Sequence, residues 1–487
     1  MTRGLEARRR LTLAATILGS SLAFIDATVV VVALPRIEED LGLGLSGQQW
    51  VYLSYSLALA ALYLPAGAIG DLAGRRRVFV WGAAGFALAS LLAGFAPNDA
   101  VLLVARTLQG VAGAFLTTNS LALIRATFGP ESGRAIGLWT AWTGVATIAG
   151  PPAGGALVEW ATWRWIFFLN LPLAAVTIWL ARAGRCEEQH DVRQGRLDVP
   201  GAVAAAVAFG TLTYGVVEGA ENGFGAVWWA FAIAAASFAA FVAIERRSTT
   251  PLLPPGLFRR RNFAAANVET FAVYAALGGT FFYLTLYLQF IGFTPFEAGL
   301  ASIPTSVAMI LLAARFGRLA DRHGPRLYLT VGPLLFGVGT LLFLPVDDIA
   351  SFWAFGVPGY LLLSLGLAML VAPITATALS SVSTEHAGVA SGVNSTISRL
   401  GNLLAVAVIG LVAAIVFGAG VTDPDAVPLA AGQTDPVLRA ASTDAFRAAM
   451  LVAAGLAFAG AAVGALWISN DDARMAAESE AASLRRA

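Results

Sequence analysis

The sequence predicts an all-α integral membrane protein, and three observations lead to this fold class. Only 13% of its 487 residues are charged and 57% are hydrophobic, whereas about a quarter of the residues in a soluble globular protein are charged. The hydrophobic residues form runs of about 20, the length of helix that crosses ~30 Å of hydrocarbon. The arginines concentrate in alternate loops between these runs. A water-soluble enzyme is therefore excluded.

The apolar runs number fourteen, and each is predicted to be a membrane-spanning helix because most are apolar around their whole circumference and longer than any strand. The first run is too long for a signal-peptide core and lacks an A-x-A-type cleavage site, so we expect it to remain in the mature protein. The predicted spans are residues 11–34, 49–70, 78–97, 100–124, 135–158, 165–182, 198–217, 227–244, 264–291, 298–316, 327–345, 352–378, 388–416 and 446–468.

The distribution of the 31 arginines sets the predicted orientation. Cytoplasmic loops of membrane proteins are enriched in basic residues, and with a cytoplasmic N-terminus nearly all arginines fall on that side. Both termini are therefore predicted to be cytoplasmic. The all-arginine, alanine-rich composition indicates a GC-rich bacterial genome, so we expect a multi-pass protein of a bacterial cell membrane. The exceptions are Arg36, Arg164, Arg439 and Arg447 in outside loops, and Arg106 and Arg399 within spans.

Several kinds of cofactor chemistry are excluded by composition. The 31 basic residues are all arginine, so the chain has no lysine for a Walker A phosphate loop or a pyridoxal phosphate Schiff base. A single cysteine, Cys186, excludes intrachain disulfides and thiolate clusters. The three histidines lie in polar stretches, which argues against haem ligation, and the net charge of +1 argues against a nucleic-acid partner. We therefore expect no cofactor and no metal.

An internal repeat divides the chain. Two cytoplasmic loops 250 residues apart carry a Gly, an Asp four residues later and a second Gly three residues after that, each following the second span of its half. Repeated halves are typical of secondary transporters. We therefore expect a six-helix bundle in residues 1–182, a linker with two extra helices in 183–262, and a second six-helix bundle with a tail in 263–487. The repeated residues are Gly67, Asp71 and Gly74 in the first copy and Gly317, Asp321 and Gly324 in the second.

Several motifs resemble those of the major facilitator superfamily, in particular its fourteen-span drug:proton antiporters. The loop around Asp71 is similar to motif A, with Gly70 and Leu72 in place of the usual residues. The segment Arg106–Gly110 is similar to motif B, and Gly144–Gly155 to motif C, which is associated with antiporters. The order of the motifs and the number of spans identify the family. The remaining matching segments are Phe24–Pro35, Trp163–Pro172 and Gly388–Asn394.

The resemblance implies a major facilitator fold and a transporter rather than an enzyme. It further implies a monomer that exports lipophilic small molecules, such as drugs, by alternating access and takes its energy from protons. Membrane lipids are then its surroundings and partners. Three alternatives stay open: a proton-coupled uptake symporter of the same fold, an exporter of a specific lipid or metabolite, and a membrane-embedded enzyme. The Pro/Gly-rich fifth span speaks against the symporter.

Two ionisable residues lie at similar depth inside the first bundle. Asp26 is ~12 Å from the outer end of span 1 and Arg106 is ~9 Å from the outer end of span 4, at 1.5 Å per residue. A charge inside a span costs about 2.5–3.5 kcal/mol on insertion scales, so each residue calls for an explanation. We expect Asp26 and Arg106 to form a pair that acts as a proton switch, the role that the resemblance gives these positions. The alternative is a permanent structural ion pair.

For three further ionisable residues in or near the spans, the sequence leaves more than one role open. Glu269, ~9 Å into span 9, is a candidate second protonation site or a contact for a cationic substrate, or else a hydrated and inert group. Arg399, near the middle of span 13, is expected to neutralise Glu269 or to meet an anionic group, or to be satisfied by backbone carbonyls. Glu218, at the outer end of span 7, is expected to be a hydrated residue without a role.

The repeated loops are predicted to form a conformational gate. Gly67 and Gly74 would permit close helix approach and a tight turn. Asp71 would pair with Arg75 or cap a helix N-terminus and hold the inner gate shut. Arg76 belongs to the same cluster, and all three arginines of the loop also serve as topogenic charges. In the second half, Asp321 with Arg322, next to Gly324, is expected to act likewise but more weakly.

The fifth span is predicted to be a hinge and a seal against proton leak. Proline removes a helix hydrogen bond, and glycines let a neighbouring helix come close; ordinary tight packing is the alternative. The residues concerned are Gly144, Gly150, Pro151, Pro152, Gly154 and Gly155. The substrate cavity is expected to be lined by aromatic, amide and basic side chains, namely Trp142, Tyr283, Gln289, Asn394 and Arg399.

Overall fold

The structure is a computed structural model that describes residues 2–129, 132–184, 199–247, 255–382, 387–421 and 426–471. Helices account for nearly all of these residues, and no strand occurs among them, which confirms the all-α prediction. The predicted polar stretch 183–197 and tail 469–487 lie mostly outside the described residues. The helices are α1 (Thr2–Leu41), α2 (Gly44–Ala73), α3 (Arg75–Gly94), α4 (Asp99–Phe128), α5 (Ser132–Trp160), α6 (Trp165–Phe168), α7 (Asn170–Ala183), α8 (Val199–Asn222), α9 (Trp228–Arg247), α10 (Arg261–Phe290), α11 (Pro295–Leu300), α12 (Ile303–His323), α13 (Arg326–Leu341), α14 (Ile349–Ser351), α15 (Val357–Ser380), α16 (Ala387–Gly420) and α17 (Pro436–Trp467).

Each predicted span overlaps one of these helices or a consecutive pair of them. Among the described residues, eleven helices are long and apolar enough to cross a membrane. The helix α13, with 16 residues, is apolar but shorter. The count of fourteen crossings and the cytoplasmic position of both termini stay predictions.

Several helix bounds differ from the predicted spans for local reasons. Helix α1 continues through Pro35 to Leu41, and α17 begins at Pro436, ten residues before the predicted span. Asp435 caps this helix by accepting from two backbone N–H groups in its first turn, so a polar cap rather than the onset of hydrophobicity sets the helix start. Hydropathy reports the membrane-embedded part of a helix only.

Two predicted spans are interrupted. The span at 298–316 divides into α11 and α12, and α11 begins at a capping box in which Thr294 and Glu297 satisfy each other's backbone N–H groups. The span at 352–378 begins with a π-helical stretch, Phe352–Gly356, before α15. Pro358 stands in the first turn of α15, where its missing N–H costs least.

The helices pack as two groups. Helices α1 to α5 and α7 contact one another, and so do α10 to α13 and α15 to α17. Between them in sequence, α8 packs along α9 and contacts α2 of the first group and α16 of the second. The division of the chain at residues 182 and 262 stays a prediction, but this packing places the extra helix pair beside both groups.

The two groups meet at the end of the bundle where α1 finishes and α2 begins, hereafter the closed end. There the amide of Gln49 donates to the Tyr283 hydroxyl at 2.7 Å, and the amide of Gln289 donates to the carbonyl of Val32 at 3.0 Å. Towards the opposite end, which carries Arg75–Arg77 and is hereafter the arginine-rich end, most of α12 is exposed or half-buried.

The repeated loops have closely similar backbone geometry. Gly74 and Gly324 have φ angles of 95° and 91°, values that residues with a Cβ rarely adopt. Each N–H donates to the carbonyl four residues earlier, that of Gly70 or of Ala320. Both glycines therefore form the tight turn that the repeat predicts, between α2 and α3 and between α12 and α13.

Candidate functional site

A buried ion pair lies at the centre of the first helix group. Asp26 on α1 and Arg106 on α4 are 2% and 0% exposed, and a guanidinium N–H of Arg106 donates directly to a carboxylate oxygen of Asp26. The contact expected from their similar depth is present. Its role in proton coupling stays a prediction.

Amide side chains complete the surroundings of the Asp26 carboxylate. Gln109, one helical turn after Arg106, donates to the Asp26 Oδ1 atom at 3.1 Å and accepts from Arg106 at 2.8 Å. Asn170, the first residue of α7, donates to the same Oδ1 atom at 2.9 Å. Both amides also donate to the hydroxyl of Ser90 on α3. Four helices thus contribute one polar cluster, here called the Asp26 centre: Asp26, Ser90, Arg106, Gln109 and Asn170.

Arg106 also connects this centre to α2. Its Nε–H donates to the carbonyl of Val51 at 3.0 Å, and its guanidinium carbon lies 4.5 Å from the centre of the Tyr55 ring, within the range of a cation–π contact. One guanidinium nitrogen, Nη2, has no hydrogen-bond partner among the described residues. The arginine is therefore held from three sides but not fully satisfied.

A glycine allows α4 to approach α2 at this level. A Cβ atom at Gly110 would lie 2.3 Å from the carbonyl oxygen of Tyr55, far inside any tolerated contact. The arginine and this glycine belong to one predicted motif, and the structure gives the motif a physical basis. Arg106 and Gln109 bind Asp26, and Gly110 lets the backbone of α2 pack closely against α4.

The second helix group also buries a carboxyl group, but without partners. Glu269 on α10 is 0% exposed, and neither carboxyl oxygen has a hydrogen-bond partner among the described residues. Its side chain points towards α17, where a Cβ atom at Gly460 would lie 3.8 Å from the Glu269 Cγ atom. The expectation that Glu269 is hydrated is therefore wrong, and its role stays a prediction.

The expected pairing of Arg399 with Glu269 is also wrong. The guanidinium of Arg399 lies 4.6 Å from the ring centre of Tyr63 on α2, so it contacts the first helix group instead. The polar neighbours on the α10 face of α16 are amides and a hydroxyl, since Asn394 donates to Thr270 at 2.8 Å and to Asn267 at 3.3 Å.

The other predicted cavity residues fall in three different places. Tyr283 and Gln289 are buried in the contact between the two helix groups at the closed end. Asn394 is buried within the second group. Trp142, in contrast, is 58% exposed and does not join the others. An apolar helix gives no reliable indication of which face is buried, and this explains the separation.

The structure describes the contacts of some residues of the predicted gate and not of others. The side chain of Asp71 lies outside the described residues, so its expected pairing with Arg75 stays a prediction. Arg75 itself reaches the carbonyl of Ala122 on α4 at 3.5 Å, and Arg76 has contacts of its own. No described atom lies within 4 Å of a Cβ atom built at Gly67. The expected close helix approach at Gly67 is therefore not seen.

In the second half, Asp321 makes no ion pair with Arg322, although the structure describes both residues. Consecutive residues on a helix point about 100° apart, and both side chains are exposed. The end of α17 holds this turn instead. Asn470 accepts from the backbone N–H of Arg326 at 3.1 Å, and the Arg326 side chain donates to the carbonyl of Ala465 at 2.8 Å.

The glycines of α5 have separate functions in packing. Gly150 and Gly154 face α1, because a Cβ atom there would lie 2.1 Å from Thr28 and 2.8 Å from Val29.

Gly155 faces α11 of the other helix group, because a Cβ atom there would lie 2.3 Å from the Pro295 carbonyl oxygen. In return, a Cβ atom at Gly299 on α11 would lie 2.4 Å from the Pro151 carbonyl oxygen. The hinge role is untested, but this segment is part of the contact between the two groups. Gly144 has no described neighbour within 4 Å.

Several contacts were not anticipated from the sequence. Ser90 is one of many small residues in an apolar span, and only the fold reveals that it and Asn170 belong to the Asp26 centre. Glu218, expected to be hydrated, accepts from the indole of Trp50 on α2 at 2.8 Å. The sequence indicates this contact only by the position of Glu218 at the end of an apolar span and of Trp50 at the start of another.

Known proteins are similar to this chain in sequence over most of its length. The family model described as Major Facilitator Superfamily matches residues 16–406. The chain is 38% identical over 409 residues to the multidrug resistance protein Stp of Mycobacterium tuberculosis, covering 83% of this chain and 76% of that protein. It is 35% identical over 428 residues to the tetracenomycin C resistance and export protein of Streptomyces glaucescens, covering 84% and 77%. A puromycin resistance protein of Streptomyces alboniger is 33% identical over 439 residues, covering 88% and 86%.

Solved structures are similar in fold. A bacterial homologue of the human lysosomal transporter Spinster, in an inward-facing and unoccupied conformation, superposes with a TM-score of 0.67 over 97% of this chain and 98% of that chain, at 17% identity. The transporter PepTSo of the POT family gives a TM-score of 0.64 at 13% identity, over 95% and 98%. At such identity the similarity concerns the fold alone.

Proposed function

The chain belongs to the major facilitator superfamily of membrane transporters, and we propose that it exports lipophilic small molecules from a bacterial cell in exchange for protons. It is a multi-pass membrane protein, and its relatives include proteins named for multidrug, tetracenomycin and puromycin resistance. Export of drugs is the function that these relatives support. Proton coupling and the direction of exchange are the steps that we add.

The observation that carries the proposal is the Asp26 centre. Asp26 is an ionisable group at the junction of α1, α3, α4 and α7, and every contact that it makes is with a donor: Arg106, Gln109 and Asn170. The cluster is complete for an ionised carboxylate. A proton arriving at Asp26 would neutralise the charge that holds Arg106. If it binds Oδ2, that oxygen becomes a donor facing the arginine, while Oδ1 still accepts from Gln109 and Asn170.

This change would alter how four helices pack. Removing the charge of one member of a buried pair leaves the other uncompensated, and such a loss is worth about 3–5 kcal/mol. Arg106 would then be held by Val51 and Tyr55 on α2 rather than by Asp26 on α1. We infer that protonation of Asp26 transfers the arginine from one helix contact to another and thereby shifts the balance between two packings of the bundle.

The contact between the two helix groups fits alternating access. Hydrogen bonds and close backbone packing join the groups at the closed end, through Gln49, Gln289 and the glycines of α5 and α11. The positive-inside rule would make the closed end extracellular. In that orientation, the conformation described here is closed towards the extracellular side.

Glu269 supports a second coupling or recognition step. Its buried carboxyl group has no partner among the described residues, so any negative charge on it needs a counter-charge, which a proton or a cationic substrate would supply. The few carboxyl groups buried among the described spans favour neutral or singly charged substrates over multivalent cations.

A proteoliposome assay tests the proposal. The purified protein is reconstituted with a pH-sensitive dye inside, an inside-acid gradient is imposed, and lipophilic drugs such as puromycin are added. We expect drug uptake accompanied by proton efflux. Proton influx with drug uptake would make the protein a symporter, and an absence of response to all drugs tested would overturn drug export in favour of a narrow metabolite or lipid substrate.

A further inference from the structure

An apolar cleft lies between the extra helix pair and both helix groups, away from the Asp26 centre. It has a volume of about 460 Å³, within the ~300–1,000 Å³ range of ligand pockets. One wall is the stretch Leu57–Pro65 of α2, and another is Thr396–Leu400 of α16. The stretches Ala202–Phe209 of α8 and Phe238–Arg246 of α9 close the remaining sides. We call it the lateral cleft.

The lining residues of the lateral cleft extend along its four helices over a length that matches the depth of one lipid leaflet. From Phe238 to Arg246 the wall on α9 covers eight residue steps, or about 12 Å at ~1.5 Å per residue. One leaflet contributes about half of the ~30 Å of hydrocarbon. The Arg246 end of the cleft lies at the arginine-rich end of the bundle. The long axis and the position of the cleft therefore match an acyl chain of that leaflet.

The chemistry of the cleft changes from apolar to charged along this axis. Alanine, leucine and phenylalanine side chains line its length, whereas Glu245 and Arg246 line it at one end. Arg246 is exposed, and half-exposed Phe238 lies at the rim, so the cleft opens to the surroundings of the helix pair. Basic residues at the ends of membrane helices recognise lipid phosphates.

We propose that the lateral cleft binds a membrane phospholipid, with one acyl chain between α2, α8, α9 and α16 and its phosphate next to Arg246. An acyl chain gains little from leaving other lipid chains, so packing against the walls and the phosphate contact provide the affinity. An empty cleft would leave its walls without dispersion contacts. Because Glu245 balances the charge of Arg246, anionic and zwitterionic phospholipids should bind comparably.

The position of the cleft gives the lipid a conformational effect. Its walls come from α2 of the first helix group and α16 of the second, so any movement of one group against the other changes the width of the cleft. A bound chain therefore favours the conformation described here. The extra helix pair acquires a role that neither group could supply alone, namely holding a lipid at their junction.

Native mass spectrometry of the detergent-purified full-length protein tests the proposal. We expect the wild type to retain one phospholipid per chain and the cleft-filling variants Ala205→Trp on α8 and Ala61→Trp on α2 to lose at least about 80% of it. The matched control Val207→Trp changes an exposed residue of α8 that does not line the cleft, and it should retain the lipid. Equal retention in the filled and control variants would overturn the proposal.

A photoreactive phospholipid with a diazirine in its acyl chain provides a test on the unmodified protein. Cross-links are expected in the α2 and α16 walls, and cross-links spread evenly over the helix surface would contradict a defined site. Arg246→Gln should shorten lipid retention several-fold, whereas Arg247→Gln, an adjacent exposed residue outside the cleft, should not. Displacement of the phospholipid by puromycin at low concentration would make the occupant a substrate instead of a lipid and overturn the assignment.

Discussion

The two helix groups each bury one carboxyl group, and they treat it in opposite ways. Asp26 accepts from an arginine and two amides, whereas Glu269 has no hydrogen-bond partner among the described residues. The first arrangement keeps a charge in place by balancing it. The second leaves any charge to be balanced from outside the protein. A charge on Asp26 is therefore part of the structure described here, whereas a charge on Glu269 requires a proton or a cationic ligand to balance it.

Breaking the Asp26 centre should produce the largest effect on stability. Arg106→Gln leaves a buried carboxylate without its counter-charge, and we expect it to reduce the free energy of unfolding by about 3–5 kcal/mol. The matched control is Arg164→Gln, which breaks the exposed pair with Asp40 and should cost less than about 1 kcal/mol. Chemical unfolding in mixed micelles measures both.

The double variant Asp26→Asn/Arg106→Gln extends this test. Since it removes both charges, it should be more stable than Arg106→Gln alone. A double variant at least as unstable as the single one would mean that the two residues act independently, contrary to the ion pair.

The contact between the two groups should be next in sensitivity. Gly155→Ala places a Cβ atom 2.3 Å from the Pro295 carbonyl oxygen, an overpacking that costs about 1–3 kcal/mol and disfavours the closed end. Gly144→Ala on the same helix has no described neighbour within 4 Å and serves as control. The contact is probed with Gln289→Cys in a Cys186→Ala background. The introduced cysteine should react faster with an impermeant maleimide when Gly155→Ala is added, but not when Gly144→Ala is added. Equal labelling in both variants would refute the assigned contact.

The two repeated turns offer a direct comparison of the halves. Both Gly74→Ala and Gly324→Ala place a Cβ atom at positive φ, at a cost of about 1–2 kcal/mol. At Gly324 the added Cβ atom would also lie 2.4 Å from the Asn470 side chain, which adds to the cost of that substitution. Gly67→Ala, in a helix, should stabilise the protein by up to about 1 kcal/mol. Thermal unfolding of the three variants gives the order, and a destabilised Gly67→Ala would restore the predicted close approach at that residue.

The smallest effect on stability is expected at Glu269. Glu269→Gln removes no hydrogen bond that the described residues make, so its free energy of unfolding should change by less than about 1 kcal/mol. Transport of a cationic substrate should fall about tenfold, the equivalent of ~1.4 kcal/mol, while that of a neutral substrate changes less. Equal losses for both substrates would remove Glu269 from recognition and leave it as a general requirement for transport.

The sequence predicted the fold and the two most informative residues because the membrane makes charges conspicuous. Asp26 and Arg106 stand out in apolar spans, and their depths follow from counting residues. Gly74 and Gly324 were found through the repeat, and their positive φ angles explain why glycine recurs there. These features depend on local sequence and on the cost of burying charge, both of which a single chain carries.

Orientation around a helix axis could not be predicted. Trp142 was placed in a cavity and is exposed, and Arg399, for which pairing with Glu269 was one of three alternatives, contacts Tyr63 across the groups. In spans that are apolar on every face, hydrophobicity does not distinguish a lipid-facing side from a packed one. Asn170, a partner of Asp26, and Ser90, which accepts from Gln109 and Asn170, were missed for the same reason, since only the packing of α3 and α7 brings them into the Asp26 centre.

Gradient-driven accumulation of drug by Asp26→Asn tests the central claim most directly. In liposomes with an inside-acid gradient, the wild type should concentrate a labelled drug above its equilibrium level. Asp26→Asn should still exchange labelled for unlabelled drug across the membrane but should accumulate none. If the variant instead concentrates drug to the wild-type level, Asp26 does not couple protons to transport, and its bond to Arg106 is structural only.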